Sequence, residues 1–256
     1  MKKIFALAAA ALLCIGAAEA QNTFKGIVKY KVESTGQVAM TIPDEVAVAE
    51  IKVSGNDMFT KSAIFTNSEY AMIGIQTEYL LVQNLTRTLC LNAERLIGYL
   101  GGEGIELNYD GNGKMLRKDV YEAKDFDSVD IVDTEPGHFY YEYVAGETKQ
   151  VAGMTAKKVI RHSYDDEGVD HPMEMWYTDE IGPSINILFN GIKGMPLQCT
   201  MDAGEGRALT YTATEIVKGK VKDVDFLLPD GYSTMTDDEF KDFIQEIIDA
   251  FELLRD

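Results

Sequence analysis

The residues of this chain that could do chemistry are few. Only three histidines occur, His138, His162 and His171. His162 and His171 flank the acidic turn Asp165-Asp166-Glu167-Gly168, so in a hairpin the two imidazoles could face each other. A zinc site needs three or four ligands in tetrahedral array. Two histidines on strands beside a charged turn read more simply as surface residues, and no metal is assigned. A second candidate is Asn108-Tyr109-Asp110-Gly111-Asn112-Gly113, with oxygen side chains at places one, three and five and glycine at six, like the start of a calcium loop. Asp119 then falls where a bidentate Glu is usual, and the preceding Ile105-Glu106-Leu107 reads as strand, so a Gly/Asn hairpin turn explains the same residues. No Gly-x-Ser-x-Gly elbow occurs. Gly101-Gly102-Glu103-Gly104 neither follows a strand nor opens a helix as a phosphate loop must. The sequence therefore reads as a non-enzyme with no catalytic residue and no cofactor.

Apolar ligands are the remaining possibility. The single tryptophan, Trp176, lies in Met173-Glu174-Met175-Trp176-Tyr177, and Met154, Met195 and Met201 are near in sequence. Methionine is unbranched and polarizable and adapts to irregular apolar shapes. Met175 and Trp176 are expected to contact a ligand together with Phe243, Ile247 and Phe251 of the C-terminal segment. Core filling is the plain alternative for all five.

The elements that must position these residues are mostly strands. Phe24 to Glu33 alternates, placing Val28, Tyr30 and Val32 on one face to be buried. Val46–Val53 and Asp57–Thr66, split by Ser54-Gly55-Asn56, predict a hairpin. Glu78–Gln83, Thr86–Asn92, Phe139–Val144, Lys157–Tyr164, Met173–Thr178, Leu197–Met201 and Ala208–Val217 continue the series, while Gly98–Gly104 reads as a glycine-rich interruption. Short strands joined by Gly/Asp/Asn turns, without βαβ alternation, indicate an antiparallel sheet. The chain ends in a helix expected over 236–255. Thr236 and Glu239 form a capping box, and Phe240, Phe243, Ile244, Ile247, Ile248, Phe251 and Leu254 form one apolar stripe. The stripe should cover an open sheet face, or act as a movable lid or partner-binding helix.

Export is read from the first twenty residues: Lys2-Lys3, an apolar run from Ile4 to Ala18, and Ala18-Glu19-Ala20 as a small-residue cleavage site. Lipidation at Cys14 is disfavoured because the large Leu13 precedes it. The run is short for a bilayer span, which needs ~20 apolar residues. The expectation is a signal peptide over 1–20 and one domain over 21–256, periplasmic and not membrane-spanning, with a possible break near 101–137. The net charge of −18 argues against nucleic acid and against anionic membrane surfaces. Cys90 and Cys199, both flanked by leucine, could be a bridge or two buried thiols.

A set of motifs in the second half carries a family resemblance. Lys149-Gln150-Val151-Ala152-Gly153-Met154, Glu174-Met175-Trp176-Tyr177-Thr178, Gly191-Ile192-Lys193-Gly194-Met195-Pro196-Leu197 and Phe226-Leu227-Leu228-Pro229-Asp230-Gly231-Tyr232 occur in this order. The order resembles exported Bacteroides-type proteins of unknown function, which are similar to the Lol-type lipoprotein-carrier superfamily, the outer-membrane lipoprotein-sorting proteins. The resemblance implies a mainly β (α+β) fold: a strongly curved antiparallel sheet or half-open barrel with the C-terminal amphipathic helix packed on it. It implies a lipid or lipoprotein as ligand, although the carriers' conserved arginine has no identifiable counterpart here. Gly191 and Gly194 are expected at a tight reversal, Pro196 at a strand start, and Phe226 and Leu228 pointing inward. The leading expectation is a periplasmic binder or carrier of a lipid, lipoprotein or other apolar ligand. The alternative is a structural or interaction protein of the envelope with a protein partner.

Overall fold

The computed structural model describes residues 24–36, 48–67, 72–92, 96–100, 103–107, 114–204, 207–228 and 230–253. The leader over 1–20 and the Asn108–Gly113 turn lie outside these residues.

The alternating segments form one curved, unclosed sheet. Its strands are β1 (Lys25–Gly36), β2 (Val48–Ser54), β3 (Asp57–Asn67), β4 (Met72–Gln83), β5 (Thr86–Asn92), β6 (Leu96–Leu100), β7 (Glu103–Leu107) and β8 (Lys114–Val120). They continue as β9 (Phe139–Val151), β10 (Met154–Ser163), β11 (Met173–Thr178), β12 (Met195–Gly204), β13 (Arg207–Lys218) and β14 (Ser233–Thr234), followed by the helix α1 (Asp237–Leu253). The strand order is β14-β8-β5-β4-β3-β2-β1-β13-β12-β11-β10-β9, with the β6–β7 hairpin attached to β4. Every named pairing is antiparallel except β14 with β8. No described helix is long and apolar enough to cross a membrane.

Three expectations change. Gly98 lies within β6, paired with Ile73 on one side and Ile105 on the other, so the glycine-rich interruption contains a hairpin. Strand β8, with Lys114, Arg117, Lys118 and Asp119, has too little apolar alternation to read as a strand; it forms because β5 supplies a seven-residue partner from Thr86 to Asn92. The first half of the expected β9 is followed by a second half after an outward bulge, where Tyr143 pairs with Val159 and Thr148 with Lys157, leaving Val144–Glu147 as surplus backbone. The extra residues of such a bulge stay outside the ladder and bend the strand.

The sheet has two unlike faces. Register places Val28, Tyr30, Val53, Met58, Val82 and Ala213 on the inner face, where they are buried. The tyrosine hydroxyl of Tyr30 is buried there and donates to the Pro196 carbonyl at 2.7 Å, which satisfies the one polar atom of this row. The inner face is covered by irregular chain. The 3-10 segment Ala123–Asp130 brings Phe126 onto it, and the loop 179–194 brings Ile181, Ile187 and Ile192. That loop is held by Asn186, wholly buried, whose amide donates to the Gly194 carbonyl at 3.0 Å and whose oxygen accepts from the Leu188 N–H. The expected reversal is here: Asn190, Gly191 and Gly194 all have positive φ, and a Cβ on Gly194 would meet the Thr178 carbonyl at 2.3 Å. Pro196 is the second residue of β12.

A smaller outer cluster of Phe59, Leu81, Val221 and Phe226 seats the segment after β13 on the opposite face. Phe226 is buried as expected, but Leu228 is 42% exposed and points to solvent. The 3-10 turn Asp223–Phe226 can turn only one side to the sheet, and Phe226 takes it. Cys90 lies in the outward register with Leu116, and Cys199 in the inward register with Met175. They are two buried thiols and not a bridge, because the sheet separates them.

Candidate functional site

The inner face at the β8 edge is where α1 sits. Thr236 ends the extended chain. Its N–H donates to Glu239 Oε2 at 2.6 Å, and the Glu239 N–H donates to Thr236 Oγ1 at 3.3 Å, so the capping box forms as the sequence requires. These contacts hold the Glu239 carboxyl below its usual range, first through the backbone N–H and then through the hydroxyl. The helix runs from 237 to 253, inside the expected 236–255. It starts over Arg117, whose Nε is 2.9 Å from Asp237 Oδ1 and whose guanidinium lies 4.8 Å from the Phe240 ring centre. Arg117 also pairs with Asp119 at 3.0 Å, and Asp119 is held by Arg87 through both Nε and Nη2. Arg87 stands 5.6 Å over the Tyr121 ring. Register puts Arg87, Leu89 and Arg117 on the same side as Val82 and Met58, the inner face. An Arg–Asp–Arg–Asp chain, half-buried except at Asp237, thus fastens the first turn of an amphipathic helix to the β8 edge.

Of the residues expected to bind a ligand, Phe243 of α1 is buried, and the side chains of Ile247 and Phe251 lie outside the described residues. Met175 and Trp176 are adjacent on β11 and therefore point to opposite faces. Met175 is buried on the inner face with Tyr141, Val159, Tyr177, Ile192 and Cys199. Burial pushes the Cys199 thiol up to about 12, so it is protonated and inert there. Trp176 points the other way, half-buried against the cluster that includes Val151, Ala156 and Met195, with Lys149 Nζ 4.1 Å over its ring and its Nε1–H donated to Glu174 at 2.8 Å. The sheet order places β11 eight strands from β8, so Met175 and α1 belong to opposite wings of the curved sheet.

A cleft of about 330 Å³ opens where β9 bulges, lined by Tyr143, Val144, Gly146, Lys157, Lys158 and Tyr177. Tyr143 and Tyr177 meet edge to face at 5.5 Å, and Lys158 bridges Glu147 and Glu174 across the rim. This size is at the low end for a small-molecule pocket.

The histidines gather at one end of β9–β11. His162 Nδ1 is 2.7 Å from Asp170 Oδ2, and its Nε2 is 3.1 Å from Glu142 Oε2, while the ring stacks on Tyr140 at 4.7 Å. His171 Nε2 is 2.8 Å from Asp165, and His138 Nδ1 contacts Asp133. His162 and His171 thus each face a carboxylate and not each other. Ionised carboxylates only accept hydrogen bonds, so the two contacts of His162 require both ring nitrogens protonated. Burial lowers its pKa, but the bonds to Asp170 and Glu142 outweigh burial and the net direction is upward. Among the described residues no three His, Cys, Asp or Glu side chains converge as a metal site.

Sequence reasoning missed Arg87, Asp119 and Arg117. The only signal was an alternation of charges on β8, which has no meaning until β5 and α1 are placed beside it. No protein-family model and no curated protein matches the chain. Among solved structures, a LolA superfamily protein from Nitrosomonas europaea aligns with 80% of this chain and 91% of its own, at 9% identity and a TM-score of 0.26.

Proposed function

We propose that the chain is an exported periplasmic binder or carrier of a lipid, lipoprotein or other apolar ligand, held on the inner face of the sheet beneath α1. The observation that carries this reading is the seating of α1. Its apolar residue Phe243 is buried, while its first turn is fastened by the polar contacts of Arg117 with Asp237 and Phe240. A helix held at one end by an ion pair can lift as a unit, and burial of acyl carbons is favourable by roughly 0.8 kcal/mol per CH₂ without any specific charge. Phe243, Ile247 and Phe251 of α1 are the ligand contacts in this reading, and Met175, buried on the opposite wing, packs the core. Trp176, on the same strand as Met175, would not sense the ligand directly.

The second reading, a non-enzymatic envelope interaction protein, is favoured by a different observation. Under the loop 179–194 the inner face is filled: Ile181, Ile192, Met195 and Leu197 have no exposed surface. Ligand space is therefore confined to the α1 wing. The test is organic extraction of the purified protein with mass spectrometry, together with titration of fatty acid into a Phe243→Trp variant in the Trp176→Phe background. Co-purifying lipid and a changed emission on titration are expected. Absence of both would remove the carrier reading and leave the second.

A further inference from the structure

The segment after β13 presents an apolar surface that the ligand reading does not use. Val221 and Phe226 turn into the outer cluster with Phe59 and Leu81, and this forces Val224, Leu227 and Leu228 outward. Val224 and Leu227 are 62% and 65% exposed, so with Leu228 three aliphatic side chains are bared within five residues. The segment is held firmly from below. Asp225 accepts from Lys52 at 2.9 Å and from the Lys222 N–H at 2.7 Å, Asp223 accepts from Lys25 at 2.8 Å, and Gln83 donates to the Phe226 carbonyl at 3.3 Å. Its aliphatic tips are thus projected from a fixed base.

Lysines cluster around these tips in a molecule that is acidic as a whole. Lys218, Lys220 and Lys222 are exposed and, among the described residues, make no ion pair. Lys25 and Lys52 stand beside them, neutralised by Asp223 and Asp225. Glu215, the next acid along β13, is taken by Lys29. Asp57, Asp179, Glu180 and Asp230 share the near end, and the acidic loops 131–138 and 164–172 lie at the far end of the sheet. The 12 residues of β13 at ~3.3 Å each put those loops about 40 Å away, several Debye lengths in physiological salt. At contact range the three lysines, two of which also act on Glu215 and Asp225, count for more than the distant loops.

We infer that this surface docks the protein on an anionic lipid bilayer, with Val224, Leu227 and Leu228 entering the interface and Lys218, Lys220 and Lys222 meeting the headgroups. The chemistry favours lipid over a protein partner. The surface is convex and aliphatic, and it lacks the Trp, Tyr and Arg anchors that dominate protein interfaces. Lysine stems can lie along the apolar boundary while their ammonium groups stay among phosphates. The inference stands whether or not the inner face holds a ligand.

Flotation with phosphatidylglycerol/phosphatidylcholine vesicles tests it, with pure phosphatidylcholine vesicles as control. Binding is expected to the anionic vesicles and to be lost at ~1 M salt, where the screening length falls to about 3 Å. The Lys218→Glu/Lys220→Glu/Lys222→Glu variant should bind at least about a hundredfold more weakly, since each lysine near an anionic surface contributes about fivefold. Leu227→Ser/Leu228→Ser should weaken binding by about tenfold or more. Both sets sit on exposed positions, and an unchanged melting curve checks their folding. Absence of binding, equal binding to neutral vesicles, or binding indifferent to both variant sets would overturn the assignment.

Discussion

The two ends of the sheet are built on different physics. At the β1–β13 end, the segment 219–228 is anchored by apolar burial: Phe226 and Val221 sit on Phe59 and Leu81, and the ion pairs of Lys25 and Lys52 only flank them. At the β9–β11 end, the loops 131–138 and 164–172 carry Asp133, Glu135, Asp165, Asp166, Glu167 and Asp170, and the fastening is by charge. Asp165 accepts from the N–H groups of Glu167 and Val169 and contacts His171. Tyr140 stacks on His162 and, more loosely, on Tyr164. The acidic end should therefore respond to pH near neutrality, and the first end only in acid, where Asp225, held low by the Lys222 N–H and Lys52, loses its charge. The first leaves aliphatic tips exposed because its anchors point inward. The second is acidic and bares Ile131, Val132 and Val169 among its carboxylates.

The largest effect that could break this contrast is at the first end. Phe226→Ala should cost about 3–5 kcal/mol, read from denaturant midpoints, because it removes a buried ring and leaves a cavity. It should also weaken vesicle binding by freeing the segment that projects Leu227. If Phe226→Ala were nearly neutral, the apolar anchoring of this end would be wrong.

Arg117→Ala, between the two ends, comes next. It removes a half-buried cation shared by Asp119 and Asp237 and should cost about 1–2 kcal/mol in thermal unfolding. Amide exchange should accelerate in the first turns of α1 and not in β1 or β13. Uniform acceleration would show that Arg117 supports the sheet and does not fasten a lid.

A smaller, pH-dependent effect belongs to the acidic end. The pKa of His162 is raised in the folded state, so its contacts stabilise the protein fully below the unfolded histidine value of about 6.5. That stabilisation is lost as pH rises through the folded value. Stability curves of the protein and of His162→Gln should accordingly differ most below pH ~6 and converge above neutrality. A difference that grows with pH would reverse the assignment of His162 as a charged partner of Asp170 and Glu142. Smallest of all, Lys25→Ala should leave the melting curve unchanged, because its partner Asp223 is almost fully exposed and such pairs add little.

Local pattern made much of this architecture readable. Val28, Tyr30 and Val32 alternate, and they are buried together. Thr236 and Glu239 have capping-box spacing, and the box forms. The site was less readable. Met175 and Trp176 are neighbours in sequence, which invites one site, yet a strand sends neighbours to opposite faces. Leu228 has the composition of a core residue and is exposed because Phe226 occupies the only available seat. Arg117 has no distinguishing context until β5 and α1 surround it.

By itself the sequence determined what depends on near neighbours: the period of the strands, the start of α1, the turns at Asn190–Gly191 and Gly194, and the acidity of the whole. Only the tertiary structure decided which lysines stand together, which arginine meets the helix, and which apolar residues are left bare. Those outcomes depend on strand register and on competition for buried positions between segments up to two hundred residues apart, as Lys25 and Asp223 are, and no local pattern encodes that competition.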